Sequence, residues 1–147
     1  MFAAALGIAL GVVSIAAAML VGMDRDRASG PVALVAIAAF YIVFAIDAGS
    51  GWLTHGSIAL AFIVAALISY RTSLWIAVVG LIAHGAYDMS AHLVEAVAPL
   101  WWPQFCLSFD LVLAAALSYW LISGRVSSTA QDPTYHKRSH LETRGEI

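Results

Sequence analysis

Charge is what this chain has least of: charged residues make up 11% of its 147 residues, against 62% hydrophobic ones. Soluble globular domains carry about a quarter charged residues, so the composition excludes that class and reads as a polytopic membrane protein. Cysteine is almost as scarce. The single Cys106 excludes an internal disulfide, and no CxxC or paired Cys/His pattern reads as a zinc module. Cys106 itself reads as a small buried apolar residue. No basic run is present to bind nucleic acid, and no positive charge precedes the first apolar run, so that run reads as a retained helix rather than a signal peptide. No internal repeat stands out, and five helices do not divide into two inverted halves.

What is present is a series of apolar runs separated by short polar breaks. They predict an all-α integral membrane bundle of five transmembrane helices within residues 1–122, at about 2–22, 32–48, 55–70, 74–97 and 103–122. Ala3, Gly7 and Gly11 form a ridge of small residues on the first helix, suited to close helix packing or to a homo-oligomer contact. Gly30-Pro31 suits entry into the second helix, and Ser73 suits the N-cap of the fourth. Residues 123–147 are polar and aperiodic and read as a disordered tail; within it His136 and His140 have no further ligands nearby. The basic residues fall in the first loop (Arg25, Arg27), the third loop (Arg71) and the tail (Arg125, Lys137, Arg138, Arg144). The positive-inside rule then places the N-terminus outside and the tail in the cytoplasm, as in a multi-pass protein of the bacterial cytoplasmic membrane.

Against this background the stretch from Leu81 to Val97 stands apart, because four ionisable side chains interrupt it. At 100° per residue His84, Asp88, His92 and Glu95 fall at about 0°, 40°, 80° and 20°, on one stripe of one helix. Ionisable groups at membrane depth cost roughly 2.5 to 3.5 kcal/mol each on insertion scales, so they usually face inward and serve a function. With a rise of about 1.5 Å per residue, His92 lies roughly 8 Å below the outer end of this helix, Asp88 about 14 Å and His84 about 20 Å. Asp110 lies about 10 Å down the fifth helix. Asp47 and His55 occupy the outer ends of the second and third helices, so ionisable groups from four helices converge on the outer half of the membrane.

Residues four apart on one helix face can ligate one ion. The Cα atoms of His84 and His92 are about 12 Å apart, too far for both to bind the same ion easily. Two arrangements remain. The candidate metal ligands are His84, Asp88, His92, Asp110 and His55: either Asp88 and His92 bind a divalent metal with Asp110 and His55, leaving His84 to support a ligand or relay protons, or Asp88 lies between two ions. A mixed His and carboxylate set suits zinc, iron or manganese. Asp88, His84 and Asp110 are the candidates for moving protons in catalysis, and Asp47, Glu95 and Tyr87 are secondary candidates. The function expected from this pattern is a metal-dependent hydrolase or oxygenase acting on a membrane lipid or other hydrophobic substrate. Two alternatives use the same residues: a proton- or cation-translocating transporter or channel subunit, and a haem- or pigment-binding subunit with His55 and His92 as axial ligands.

The HGxxDxxxH string at residues 84–92, with Trp102-Pro103 and Asp110, resembles a group of small bacterial integral membrane proteins over most of residues 1–123. That resemblance implies a membrane bundle and no particular activity. More distantly, the His/Asp cluster is similar to those of the alkaline ceramidase and progestin-receptor superfamily, whose zinc sites hydrolyse lipid amides. Five helices replace seven here, and that family's Ser-x-x-x-His and His-x-x-x-His pairs are missing, so none of its residues is carried over.

Overall fold

The computed structural model describes residues 1–91 and 98–130. Among them the chain forms five α-helices and no strand: α1 (Phe2–Leu20), α2 (Ser29–Ala48), α3 (Trp52–Arg71), α4 (Trp75–Ala91) and α5 (Trp102–Ile122), with a single 3-10 turn at Met23–Arg25. Four of them, α1, α2, α3 and α5, are long and apolar enough to cross a membrane. The described part of α4 is 17 residues long, and residues 92–97, which the sequence assigns to its outer end, lie outside the described residues, as do His92 and Glu95.

The helix ends follow from local chemistry. Gly22, at φ 80°, lets the chain leave α1 in the left-handed conformation. In the turn that follows, the Ala28 N–H donates to Asp26 Oδ1 at 2.8 Å and the Ser29 hydroxyl donates to the Asp26 carbonyl. These bonds start α2 at Ser29, three residues before the expected position. Pro31 still lies in the first turn, where a missing N–H costs nothing. Gly49 (φ 64°) and Gly51 (φ 74°) make the turn between α2 and α3. The earlier start of α3 draws His55 into its first turn, where the His55 N–H donates to the Gly51 carbonyl.

α1 packs on α5, α5 on α4, and α2 on α3, while α4 also meets α2 and α3. Gly7 and Gly11 face Phe105, Ser108, Phe109 and Val112 of α5. The small-residue ridge is therefore used for close packing within the chain. Leu34, Leu74, Ala77, Val78, Leu81, Leu117 and Trp120 form the apolar core. Large apolar residues such as Val13, Val43, Leu60, Val79 and Ile122 are exposed on the outside, the pattern expected where lipid tails replace water as solvent.

Residues 123–130 differ from the expected disordered tail. Val126 and Ser127 are buried, Ser128 accepts from the Leu74 N–H, the Ala130 N–H donates to Thr72, and Ser73 and Thr129 form an isolated antiparallel bridge. Arg27 donates to the carbonyls of Ser127 and Tyr70, and Arg125 pairs with the buried Asp24 at 2.9 Å. Polar backbone and charge thus meet charge at this end of the bundle, joining the α1–α2 loop, the α3–α4 loop and the segment after α5. Composition alone does not reveal this, because the segment's bonds go to distant parts of the chain.

Candidate functional site

At the opposite end of the core, α4 and α5 each bring two chemical groups to the same level: His84 and Asp88 one turn apart on α4, Cys106 and Asp110 one turn apart on α5. Gly85 makes their approach close. A Cβ there would stand 2.8 Å from the Leu107 Cα and 3.4 Å from Asp110 Oδ2, so any side chain at 85 would push the two helices apart at the height of the site. With that gap closed, His84 Nδ1 donates to Asp110 Oδ2 at 2.8 Å, in a pair buried to 2% and 0% exposure. The bond commits Nδ1 and leaves Nε2 as the free nitrogen of His84.

α2 supplies Tyr41, whose hydroxyl donates to Asp88 Oδ1 at 2.6 Å. Its ring also packs against His84, with centroids 5.1 Å apart, and against His55 at 6.3 Å, Phe62 at 6.3 Å and Tyr87 at 5.7 Å. His55 is buried under the α2–α3 turn, where a Cβ on Gly51 would meet its ring at 2.7 Å. Both ring nitrogens of His55, Asp88 Oδ2 and Asp110 Oδ1 are buried without a hydrogen-bond partner among the described residues. One donor atom each from His84, Asp88 and Cys106 lie within 4.8 Å of one another.

Electrostatics make this arrangement unusual. The site holds two carboxyl groups, a thiol and two histidines, all buried, and the described arginines, Arg25, Arg27, Arg71 and Arg125, all belong to the loops and helix ends at the other end of the bundle. An unpaired ionised carboxylate at low dielectric is strongly disfavoured. The cluster therefore needs positive charge from outside itself, as protons or as a metal ion. Its donor set of imidazole, carboxylate and thiol suits a borderline-soft divalent ion.

Of the residues expected at the site, His84, Asp88, Asp110 and His55 gather around Tyr41. Tyr87 is half-buried at its edge, and Asp47 is exposed on the last turn of α2, away from it. Asp47 lies in the last turn of α2 and is exposed among the described residues. His84 and Asp110, expected as a proton relay and a ligand of the same site, are bonded directly to each other. Cys106 and Tyr41 are the residues that sequence reasoning missed. The signal for Cys106 was available, since it lies four residues before Asp110 on one face of α5, the spacing applied to α4 alone. The signal for Tyr41 was weaker, a lone phenol inside an otherwise apolar helix. No protein-family model, curated protein or solved structure matches this chain, so its function is read from this geometry alone.

Proposed function

We propose that this chain is a five-span protein of the bacterial cytoplasmic membrane, with α1 starting outside, that binds a divalent metal in the outer half of the bilayer and uses it on a lipid or other hydrophobic substrate. The observation that carries the reading is the meeting of His84, Asp88 and Cys106, which each bring a donor atom within 4.8 Å of the others, with Asp110 bonded to Nδ1 of His84. A carboxylate behind a ligating histidine fixes its tautomer and raises its basicity. Donors around zinc stand about 3.3 to 3.8 Å apart at usual bond lengths, so the three groups need only small side-chain movements to close on an ion. Three protein donors leave a fourth position for water or substrate, the pattern of catalytic rather than structural sites. A metal there would supply Lewis acidity or an activated water, and the free oxygen of Asp110 is placed to take a proton. The thiol favours zinc or iron over manganese.

The spans and orientation draw support from the α1–α2 loop, the α3–α4 loop and residues 123–130, which carry the described arginines and meet at one end. Five crossings bring those three segments to one face of the membrane. Proton or cation transport has the Tyr41–Asp88 and His84–Asp110 bonds in its favour. Leu34, Leu74, Ala77, Val78 and Leu81 then fill the core between the site and the arginine-bearing end, and this apolar layer weighs against a continuous path.

The test is metal content by inductively coupled plasma mass spectrometry on detergent-purified protein, beside Asp88→Ala and Cys106→Ser. Near-stoichiometric zinc or iron, lost in both variants, is the expected result. Protein purified without chelator that holds no metal, and takes up none from a zinc buffer, sinks the proposal.

A further inference from the structure

Asp88 and His84 each own two atoms able to bind a metal, and in each case one is already taken. Asp110 Oδ2 holds His84 Nδ1 at 2.8 Å, and the Tyr41 hydroxyl holds Asp88 Oδ1 at 2.6 Å. What remains of Asp88 is a single buried oxygen, Oδ2, without a partner among the described residues. A hydrogen bond that holds one oxygen takes one of its two lone pairs and turns the carboxylate toward binding an ion through the other. Large or oxygen-seeking ions gain most from two-oxygen coordination and high ligand number, whereas zinc is satisfied by four donors in a tetrahedron. Tyr41 is itself firmly seated, its ring packed on His55, Phe62, His84 and Tyr87, so the hydroxyl cannot easily swing away to release Oδ1.

Resting on the metal-binding reading above, we infer that Tyr41 is a specificity-determining residue of the site: by occupying Asp88 Oδ1 it enforces one-oxygen coordination and favours a four-coordinate, zinc-type ion over manganese. Nearly every mixed site prefers zinc to manganese to some degree, so the informative quantity is how the preference changes when the hydroxyl is removed. Tyr41→Phe keeps the ring and its packing and frees Oδ1 for the ion. Asp110→Asn alters the support of His84 and leaves the Tyr41–Asp88 bond in place.

The experiment is competition between zinc and manganese for full-length protein in detergent, read as two dissociation constants, with the visible spectrum of the cobalt-loaded protein reporting coordination number. For the unaltered chain, intense cobalt bands of a four-coordinate site with a thiolate charge-transfer band are expected. Tyr41→Phe is expected to lower the zinc-to-manganese affinity ratio about 10- to 100-fold, the usual scale for groups supporting a metal ligand, and to weaken the cobalt bands as coordination rises. Asp110→Asn is expected to weaken both metals together and leave the ratio unchanged. Metal binding with an unchanged ratio in Tyr41→Phe overturns the assignment of Tyr41 alone. Pale six-coordinate cobalt in the unaltered protein does the same, a reading that remains available if Tyr41→Phe does not fold. Binding of neither zinc nor manganese by the unaltered protein overturns the metal site itself, and the role of Tyr41 with it.

Discussion

The two ends of this bundle bury polar groups in opposite ways. At the arginine-bearing end, Asp24 meets Arg125, Arg27 meets two carbonyls, and the backbone of residues 128–130 is paired with the α3–α4 loop. At the other end, two carboxyl groups, two histidines, a phenol and a thiol are buried with no arginine or lysine beside them among the described residues, and four of their atoms lack partners among those residues. Polar groups that are fully paired stabilise a fold and are chemically spent. Polar groups left with unused valence cost about 1 to 3 kcal/mol each, and a fold retains that cost where it has a use. Ser69 is the exception that keeps the contrast from being absolute: its buried hydroxyl, near the arginine-bearing end of α3, also has no partner among the described residues, and nothing in the structure accounts for it.

If this contrast is right, substitutions at the two ends should differ in size and in kind. The largest effect is expected from His84→Ala, which strands Asp110 as a fully buried carboxylate; removing one member of such a pair costs about 3 to 5 kcal/mol. Thermal unfolding in detergent followed by circular dichroism checks it, and a change below about 1 kcal/mol means the pair is not the neighbourhood's electrostatic anchor. Gly85→Val comes next. Its Cβ would collide with the α5 backbone at Leu107, for an overpacking cost of about 1 to 3 kcal/mol, and the separation of His84 from Asp110 should remove bound metal as well. Retained metal with normal stability in that variant contradicts the close approach of α4 and α5.

The smallest effect belongs to the other end. Arg125 is 38% exposed in its pair with Asp24, so water screens the interaction and Arg125→Gln should cost less than about 1 kcal/mol, with metal content unchanged. Loss of metal in that variant erases the functional distinction between the two ends. Tyr41→Phe belongs to a separate class: a loss of about 1 to 3 kcal/mol from the Asp88 oxygen left without its donor, with a lowered zinc-to-manganese affinity ratio.

Much of the site was legible because helical periodicity is short-range. His84 and Asp88 share a face by spacing alone, and counting residues from the ends of α5 and α3 brought Asp110 and His55 to a similar height. Height, however, says nothing about which way a side chain points around its helix. Asp47 had a suitable height and is exposed, while Cys106, read as a buried apolar residue, and Tyr41, not singled out at all, stand beside Asp88 and His84. Residues 123–130 misled for a related reason, since a polar aperiodic segment can be held by bonds to loops far away in the chain.

The sequence by itself determined that the chain is helical, that at least four of its helices suit a membrane, and that α4 carries a polar stripe, because run length and period are properties of one segment at a time. Only the tertiary structure decided that Asp110 bonds to His84, that Tyr41 bonds to Asp88, and that Cys106 comes close to both groups of α4. Those pairings depend on which helix backbones can approach each other. That approach is governed by contacts such as Gly85 against Leu107 and Gly7 against Phe105, where the absence of a side chain on one helix has meaning only once its neighbour is in place.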